Sequence, residues 1–343
     1  MIRVLIVDDS ATARALLAAI FATDPELKVV GEAADGLGAV ALTRQLRPDV
    51  VTMDIRMPRM DGLEATKEIM IEAPTPIVIV TASRSVHDVD LSMSALRAGA
   101  LAVLDKPAGP AAPGHAEQAS HLISQVKAMA QVKVVRHWRA VKAAARPAPA
   151  TTSARPGRAR VVAVASSTGG PAALECILTR LPGDFPIPVL IVQHITHGFV
   201  AGLADWLNKA GPLRVKVAED GETLKQRTVY VAPDDRHLGV SPLGQAVLGA
   251  AAPVGGFRPS GSVLFDAVAK AYGPAAVAVI LTGMGEDGVA GLRGVRQSGG
   301  HVIAQDEKSS VIFGMPGAAV AAGLADDVLP VEDIAGRLIE LVA

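Results

Sequence analysis

Short apolar runs bounded by turn residues recur along this chain, and helical spacing of the apolar positions follows several of them. In the first third the runs are Ile2-Arg3-Val4-Leu5-Ile6-Val7, Asp49-Val50-Val51-Thr52-Met53, Pro76-Ile77-Val78-Ile79-Val80 and Ala102-Val103-Leu104-Asp105. Between them, residues 13–23 and 62–72 carry helical patterning, at the spacing of a βα repeat. In the second half, residues 160–166, 189–193 and 276–282 are runs of the same kind. Apolar runs of this length read as strands buried on both faces, as in a parallel sheet. The pattern predicts an α/β chain with two domains.

The residues just past each run carry the chemistry. Residues 160–166 lead into Ser167-Thr168-Gly169-Gly170-Pro171, and a helical pattern comes next. Two glycines permit a sharp turn, and Pro171 suits a first helical position, where its missing N–H costs nothing. Ser167 is thereby placed beside backbone donors and a positive helix end, a suitable seat for a nucleophile whose product bears an oxyanion. The run 189–193 ends in His194, and 276–282 ends in Gly283-Met284-Gly285-Glu286-Asp287-Gly288. Parallel strands end at one edge, so a hydroxyl, an imidazole and a carboxylate converge there. Triads are defined by geometry and role, not by chain order. Each residue alone has a plainer reading: a turn, a half-buried histidine, an Asp-Gly bend.

The N-terminal strands end in a different set: Asp8-Asp9-Ser10, Asp54, Thr81 and Lys106-Pro107. Three carboxylates thus meet at one sheet edge, faced by a hydroxyl and an ammonium. Clustered oxygens suit a hard divalent cation such as Mg²⁺ better than zinc. That cation and Lys106 would neutralise a phosphoryl group arriving on a carboxylate. The plainer reading of Asp8-Asp9 is helix capping ahead of residue 11.

Composition narrows the class. At 343 residues the chain accommodates two cores, and aromatics make up only 3%, so Ala, Val, Ile and Leu must fill them. No apolar run reaches bilayer length, and Met1 leads directly into a charged strand, so neither membrane insertion nor a signal peptide is expected. The single cysteine, Cys176, fits a reducing cytoplasm and reads as a packed residue. Net charge of −1 argues against bulk attraction to nucleic acid or membrane. The stretch 118–174 nevertheless has no acidic residue and nine Lys or Arg, at 127, 133, 136, 139, 142, 146, 155, 158 and 160. It reads as helix to about Val141, then as a Pro- and Ala-rich tether, with a dock for an acidic partner as the sharper alternative. The expected division is an N-terminal domain at 1–124, a basic linker at 125–159 and a C-terminal domain at 160–343.

These residues carry two resemblances. Residues 1–107 resemble a response-regulator receiver domain through Asp8-Asp9, the segment Asp54-Ile55-Arg56-Met57-Pro58-Arg59-Met60-Asp61-Gly62, Thr81 and Lys106-Pro107. The rest is similar to the catalytic domain of the chemotaxis protein-glutamate methylesterases, the CheB family. The matching stretches are Ser167-Thr168-Gly169-Gly170-Pro171, Gln193-His194, Arg258-Pro259-Ser260, residues 281–288, residues 304–307 and residues 311–316. The first resemblance implies a flavodoxin-like, five-stranded parallel sheet of order 2-1-3-4-5. The second implies a doubly wound, mainly parallel esterase domain. By resemblance Ser167 is the nucleophile, His194 its base and Asp287 the orienting acid, with Thr168 and the Met284 N–H near the oxyanion. Asp54 becomes the phosphoryl acceptor, Asp8, Asp9, Asp54 and the Arg56 carbonyl hold Mg²⁺, and Thr81 and Lys106 contact the phosphoryl oxygens. The esterase reaction itself needs no cofactor. The implied partners are a methylated chemoreceptor as substrate and a chemotaxis histidine kinase as phosphodonor, and glutamine deamidation is an implied second activity. The resting receiver is expected to cover the esterase edge until phosphorylated. Two departures stand out: Ala82 after Thr81, and Gly317-Ala318 where a charged pair is common in the family. Competing classes are a non-enzymatic, phosphorylation-gated docking regulator and a DNA-binding regulator. The intact triad opposes the first, and the strand-rich C-terminal half opposes the second.

Overall fold

A computed structural model of the protein describes residues 1–82, 86–132 and 159–343, without the side chains of 86–90. The helix expected beyond residue 132 and nearly all of the expected tether therefore lie outside the described residues. The chain divides into two compact units, Met1–Ala144 and Ala145–Ala343.

The first unit alternates strand and helix: β1 (Ile2–Val7), α1 (Ala11–Phe21), β2 (Leu27–Ala33), α2 (Gly36–Leu46), β3 (Val50–Met53), α3 (Gly62–Glu72), β4 (Ile77–Thr81), α4 (Val86–Arg97), β5 (Ala102–Asp105) and α5 (His115–Met129). Its strands pair in the order β2-β1-β3-β4-β5, all parallel. β3 and β4 are buried at every position, as sheet strands covered on both faces must be. β2, with Lys28 and Glu32 in it, was not legible as an apolar run because it is the edge strand and only its ends are buried. The caps explain the helix starts. Ser10 Oγ accepts from the Ala13 N–H, so α1 begins at Ala11, two residues before its periodicity announces it. Asp35 and Asp61 do the same for α2 and α3 through the Gly38 and Glu64 N–H groups. Ser10 is the cap residue, and Asp8 Oδ1 accepts the Ser10 N–H at 3.0 Å, so Asp8 braces the cap from outside it. α5 continues through residue 124 to Met129.

The second unit comprises β6 (Val161–Ser166), α6 (Gly170–Leu178), β7 (Val189–Gln193), α7 (Val200–Ala210), β8 (Arg214–Val217), β9 (Thr228–Val231), β10 (His237–Val240), β11 (Ala246–Gly249), α8 (Gly261–Tyr272), β12 (Ala276–Ile280), α9 (Val289–Gln297), β13 (His301–Gln305), α10 (Met315–Ala321), β14 (Asp327–Leu329) and α11 (Val331–Val342). Seven strands form one parallel sheet in the order β14-β13-β12-β6-β7-β9-β8, and β10 and β11 form a separate antiparallel hairpin. The chain starts at β6, builds outward through β7, then returns to β12 on the other flank and builds outward again. That reversal is a topological switch point, the place where open α/β sheets leave a crevice at the carboxyl ends of their strands. The core is mostly small and branched aliphatics, including Ala163, Ala165, Val192, Ala278, Ile280 and Ala304, with Phe265 and Tyr230 among its few rings.

Candidate active site

Ser167 leaves β6 at the switch point. Its N–H donates to Thr282 O at 3.0 Å, which holds it against the segment after β12. Gly169 turns the chain with φ 77°, and a Cβ there would strike Val311 Cγ2 at 2.5 Å, so only glycine fits. α6 starts at Gly170 with Pro171 in its first turn. His194 follows β7, and its N–H donates to Ser166 O at 2.9 Å, the last rung of the β6–β7 pairing. The segment after β12 passes close by: a Cβ on Gly283 would lie 2.7 Å from Ser167 Cβ. Thr168 is buried, and its carbonyl accepts from Thr282 Oγ1 at 2.9 Å. Met284 occupies the same loop, one residue past Gly283.

Asp287 reaches both the His194 ring and a helix N-terminus. Its Oδ2 stands 3.0 Å from His194 Nε2. The ring N–H is not aimed squarely at that oxygen, and neither ring nitrogen makes a hydrogen bond of good angle, so His194 is not bonded to Ser167 Oγ. Catalytic contacts are often this loose before substrate arrives. Asp287 Oδ1 accepts from Ser260 Oγ at 2.7 Å and the Ser262 N–H at 3.2 Å, and Oδ2 accepts from the Gly261 N–H at 2.6 Å. A carboxylate from the β12–α9 loop thus satisfies two of the orphan donors of α8, where its charge also meets the positive end of the dipole. Burial alone would raise its pKa, but the His194 ring 3.0 Å away and the bonds from Ser260 and Gly261 outweigh it and hold this carboxyl well below the usual range. Asp287 therefore remains an anion at any working pH. The Phe257 ring lies flat on His194, with centroids 4.0 Å apart and planes 5° from parallel.

Ser260, Gly261 and Phe257 had no role assigned from sequence, although Ser-Gly ahead of an apolar periodic stretch is a legible helix start. Gln193 was quoted only as part of a match. Its Nε2 donates to Ser167 O at 2.7 Å and to His194 O at 2.8 Å, while Oε1 accepts from Ser166 Oγ at 2.6 Å. No pattern in one sequence reveals that a strand-end glutamine turns back on its own neighbours. Cys176 lies on α6, and burial pushes its thiol pKa up, which fits a packed residue and not a nucleophile.

The first unit gathers the other set. Carboxylate oxygens of Asp8, Asp9 and Asp54 all lie within 4.8 Å of one another, the one such cluster of His, Cys, Asp and Glu among the described residues. Lys106 Nζ bridges Asp8 Oδ2 at 2.7 Å and Asp54 Oδ2 at 3.0 Å. Burial raises the Asp54 pKa, Lys106 pulls it back and Asp8 pushes it up again, leaving it above its ordinary value. Burial works against the Lys106 charge, but Asp8 and Asp54 prevail and raise its pKa. Thr81 is buried at the end of β4, and its carbonyl accepts from the Lys106 N–H at 3.0 Å. Arg56 is exposed in the loop after β3. An all-oxygen donor set of this size matches what Mg²⁺ takes.

No helix among the described residues is long and apolar enough to cross a membrane. Comparison with known proteins covers both units. The family pattern described as CheB methylesterase matches residues 162–338, and that of the response regulator receiver domain matches residues 4–112. A protein-glutamate methylesterase/protein-glutamine glutaminase of Myxococcus xanthus is 56% identical over 339 residues, 98% of this chain and 96% of that one. One from Anaeromyxobacter dehalogenans is 58% identical, with 98% of both chains covered. Among solved structures, the Thermotoga maritima CheB methylesterase catalytic domain is 43% identical with a TM-score of 0.53, covering 54% of this chain and all of its own.

Proposed function

This chain belongs to the CheB methylesterase family, with a response regulator receiver domain ahead of the esterase, and from that premise we propose how its residues divide the work. The protein is a chemotaxis hydrolase, a protein-glutamate methylesterase and protein-glutamine glutaminase. In this reading the receiver occupies residues 1–124, a basic connector that begins within α5 occupies 125–159, and the esterase occupies 160–343. The substrate is a methylated chemoreceptor, the phosphodonor a histidine kinase, and the compartment the cytoplasm, in keeping with a single cysteine.

Ser167 Oγ attacks the carbonyl carbon of the glutamyl methyl ester. A hydroxyl at its free pKa is a weak nucleophile, so His194 removes its proton as the bond forms. With Nε2 turned to Asp287, the ring nitrogen left for Ser167 is Nδ1. Asp287 orients the ring and stabilises the imidazolium. The oxyanion is met by the Thr168 neighbourhood and the Met284 N–H; one such donor is worth about 3–4 kcal/mol of barrier. The imidazolium then protonates the departing methoxide to methanol. Water, deprotonated by His194, cleaves the acyl-enzyme to a glutamate carboxylate, and a glutamine amide takes the same course with ammonia leaving.

In the receiver, Asp54 accepts the phosphoryl group. Mg²⁺ held by Asp8, Asp9, Asp54 and the Arg56 carbonyl would supply charge neutralisation there. Lys106 contributes a further positive charge, and Thr81 a hydroxyl. Phosphorylation adds about −1.5 to −2 charge beside Asp8, and the receiver state it favours raises esterase turnover.

The observation that carries this reading is the Asp287 carboxylate, anchored on α8 and 3.0 Å from His194, which follows the strand paired with the one that leads into Ser167. The test is methanol release from a methylated receptor, with and without acetyl phosphate. Wild type should release methanol and be stimulated by the phosphodonor, and Ser167→Ala should release none. Release by Ser167→Ala at the wild-type rate would overturn the triad, and a wild type indifferent to acetyl phosphate would overturn the switch.

A further inference from the structure

We propose that Gln193 is a positioning residue, whose single side-chain amide locks the peptide bearing the nucleophile to the peptide bearing the base. The inference rests on the Ser167–His194 assignment above. Pairing between β6 and β7 ends at Ser166 and Gln193, with the His194 N–H on Ser166 O as the closing rung. Past that rung the two chains part. Ser167 turns toward the segment after β12; its carbonyl accepts the Gly170 N–H at 2.8 Å within its own turn, and neither it nor the His194 carbonyl has a strand left to pair with.

Gln193 closes that gap. A primary amide carries two N–H donors and a carbonyl acceptor. Both donors are spent on the two catalytic carbonyls, at 2.7 and 2.8 Å, and the acceptor receives Ser166 Oγ at 2.6 Å. The two carbonyls, which can only accept, fix which end of the amide is which, because an Nε2 turned toward Ser166 would leave both of them facing an oxygen. The side chain is 3% exposed, so water offers no substitute. The start of α6 is built around it: a Cβ on Gly170 would fall 2.0 Å from Gln193 Oε1. Ser167 and His194 come from different strands, so their spacing depends on how these two peptides are tied. Methionine, of similar shape, keeps the volume and deletes both donors.

The experiment compares the intact wild-type chain with Gln193→Met and Ser166→Ala. The readouts are methanol release, the rate at which a fluorophosphonate probe labels Ser167, and the melting temperature. Gln193→Met should lower kcat by about 10–100-fold, the scale of a misplacement near 1 Å. KM should stay within about twofold and probe labelling should slow in parallel, since positioning acts on the reacting atoms and not on substrate affinity. Ser166→Ala, which leaves Oε1 without its donor, should show a smaller loss of kcat of the same kind, still more than threefold. The proposal falls if folded Gln193→Met keeps both kcat and labelling rate within threefold of wild type. Should Gln193→Met not fold, Ser166→Ala decides by the same criterion. A Ser167→Ala control separates the failures. Turnover by that variant would bring down the triad itself, whereas an inactive control beside a fully active Gln193→Met would bring down the Gln193 assignment alone.

Discussion

Two carboxylates in this chain are buried to similar degrees and titrate in opposite directions. Asp287 receives three hydrogen bonds from the start of α8 and faces His194, and these prevail over burial. Because its folded pKa is depressed, its stabilisation is fully present above the ordinary carboxylate range and is lost only as pH falls well below it. Asp287→Asn keeps the shape but cannot hold the imidazolium, so kcat for methanol release should drop by roughly 10³–10⁴-fold. Asp54 behaves the other way. Burial and Asp8 raise its pKa despite Lys106, so the folded receiver favours its protonated form. That contribution is present below the unfolded value of about 3.9 and lost as pH rises through the folded one. At neutral pH the charged Asp54 is therefore a destabilising residue kept for its chemistry. Asp54→Asn should raise the melting temperature of the receiver transition in the intact chain at pH 7, and the gain should shrink as the pH approaches 4. Calorimetry at both pH values checks the sign.

At the scale of elements, both sites depend on how closely a helix start approaches a strand end. Asp61 caps α3 through the Glu64 N–H, and Gly62 beside it has no room for a side chain, since a Cβ would lie 2.2 Å from Asp54 O. The Asp61-Gly62 pair thus seats α3 against the backbone of the phosphoryl acceptor. Gly62→Ala must push α3 away, and overpacking of this kind costs about 1–3 kcal/mol. Denaturant unfolding should show that loss, and acetyl phosphate should label Asp54 more slowly. In the esterase unit the tie is α8, whose first turn is capped by Asp287 from another loop and not by its own Ser260. The Asp61 cap, quoted from sequence only as part of a match, involves a donor three residues away and so is local. Sequence inspection could not see the α8 cap, because donor and acceptor are separated by 26 residues.

For the molecule as a whole, the two chemistries sit in separate compact units, the carboxylate cluster in Met1–Ala144 and the triad in Ala145–Ala343. Chelating divalent cations with EDTA should therefore abolish phosphorylation of Asp54 by acetyl phosphate. In the unphosphorylated chain it should leave fluorophosphonate labelling of Ser167 unchanged. Mass spectrometry of both adducts tests this, and labelling of Ser167 that needed the cation would break the division.

The order of apolar runs, the residues that end them and the positions of glycine and proline were enough to declare two α/β units and to place a hydroxyl, an imidazole and a carboxylate at one rim and three carboxylates at another. These are local properties, written in the spacing of a few neighbouring residues, because strand alternation, turns and helix starts are decided over short distances. What the tertiary structure alone decided is how the groups are held. It set Phe257 against His194, gave Asp287 the donors of α8, turned the Gln193 amide back on two carbonyls, and drove the pKa values of Asp54 and Asp287 apart. Each of these depends on which side chains meet across the sheet and on how far water is excluded. No periodicity along the chain encodes that, since partners distant in sequence become neighbours only when the strands have been laid in order.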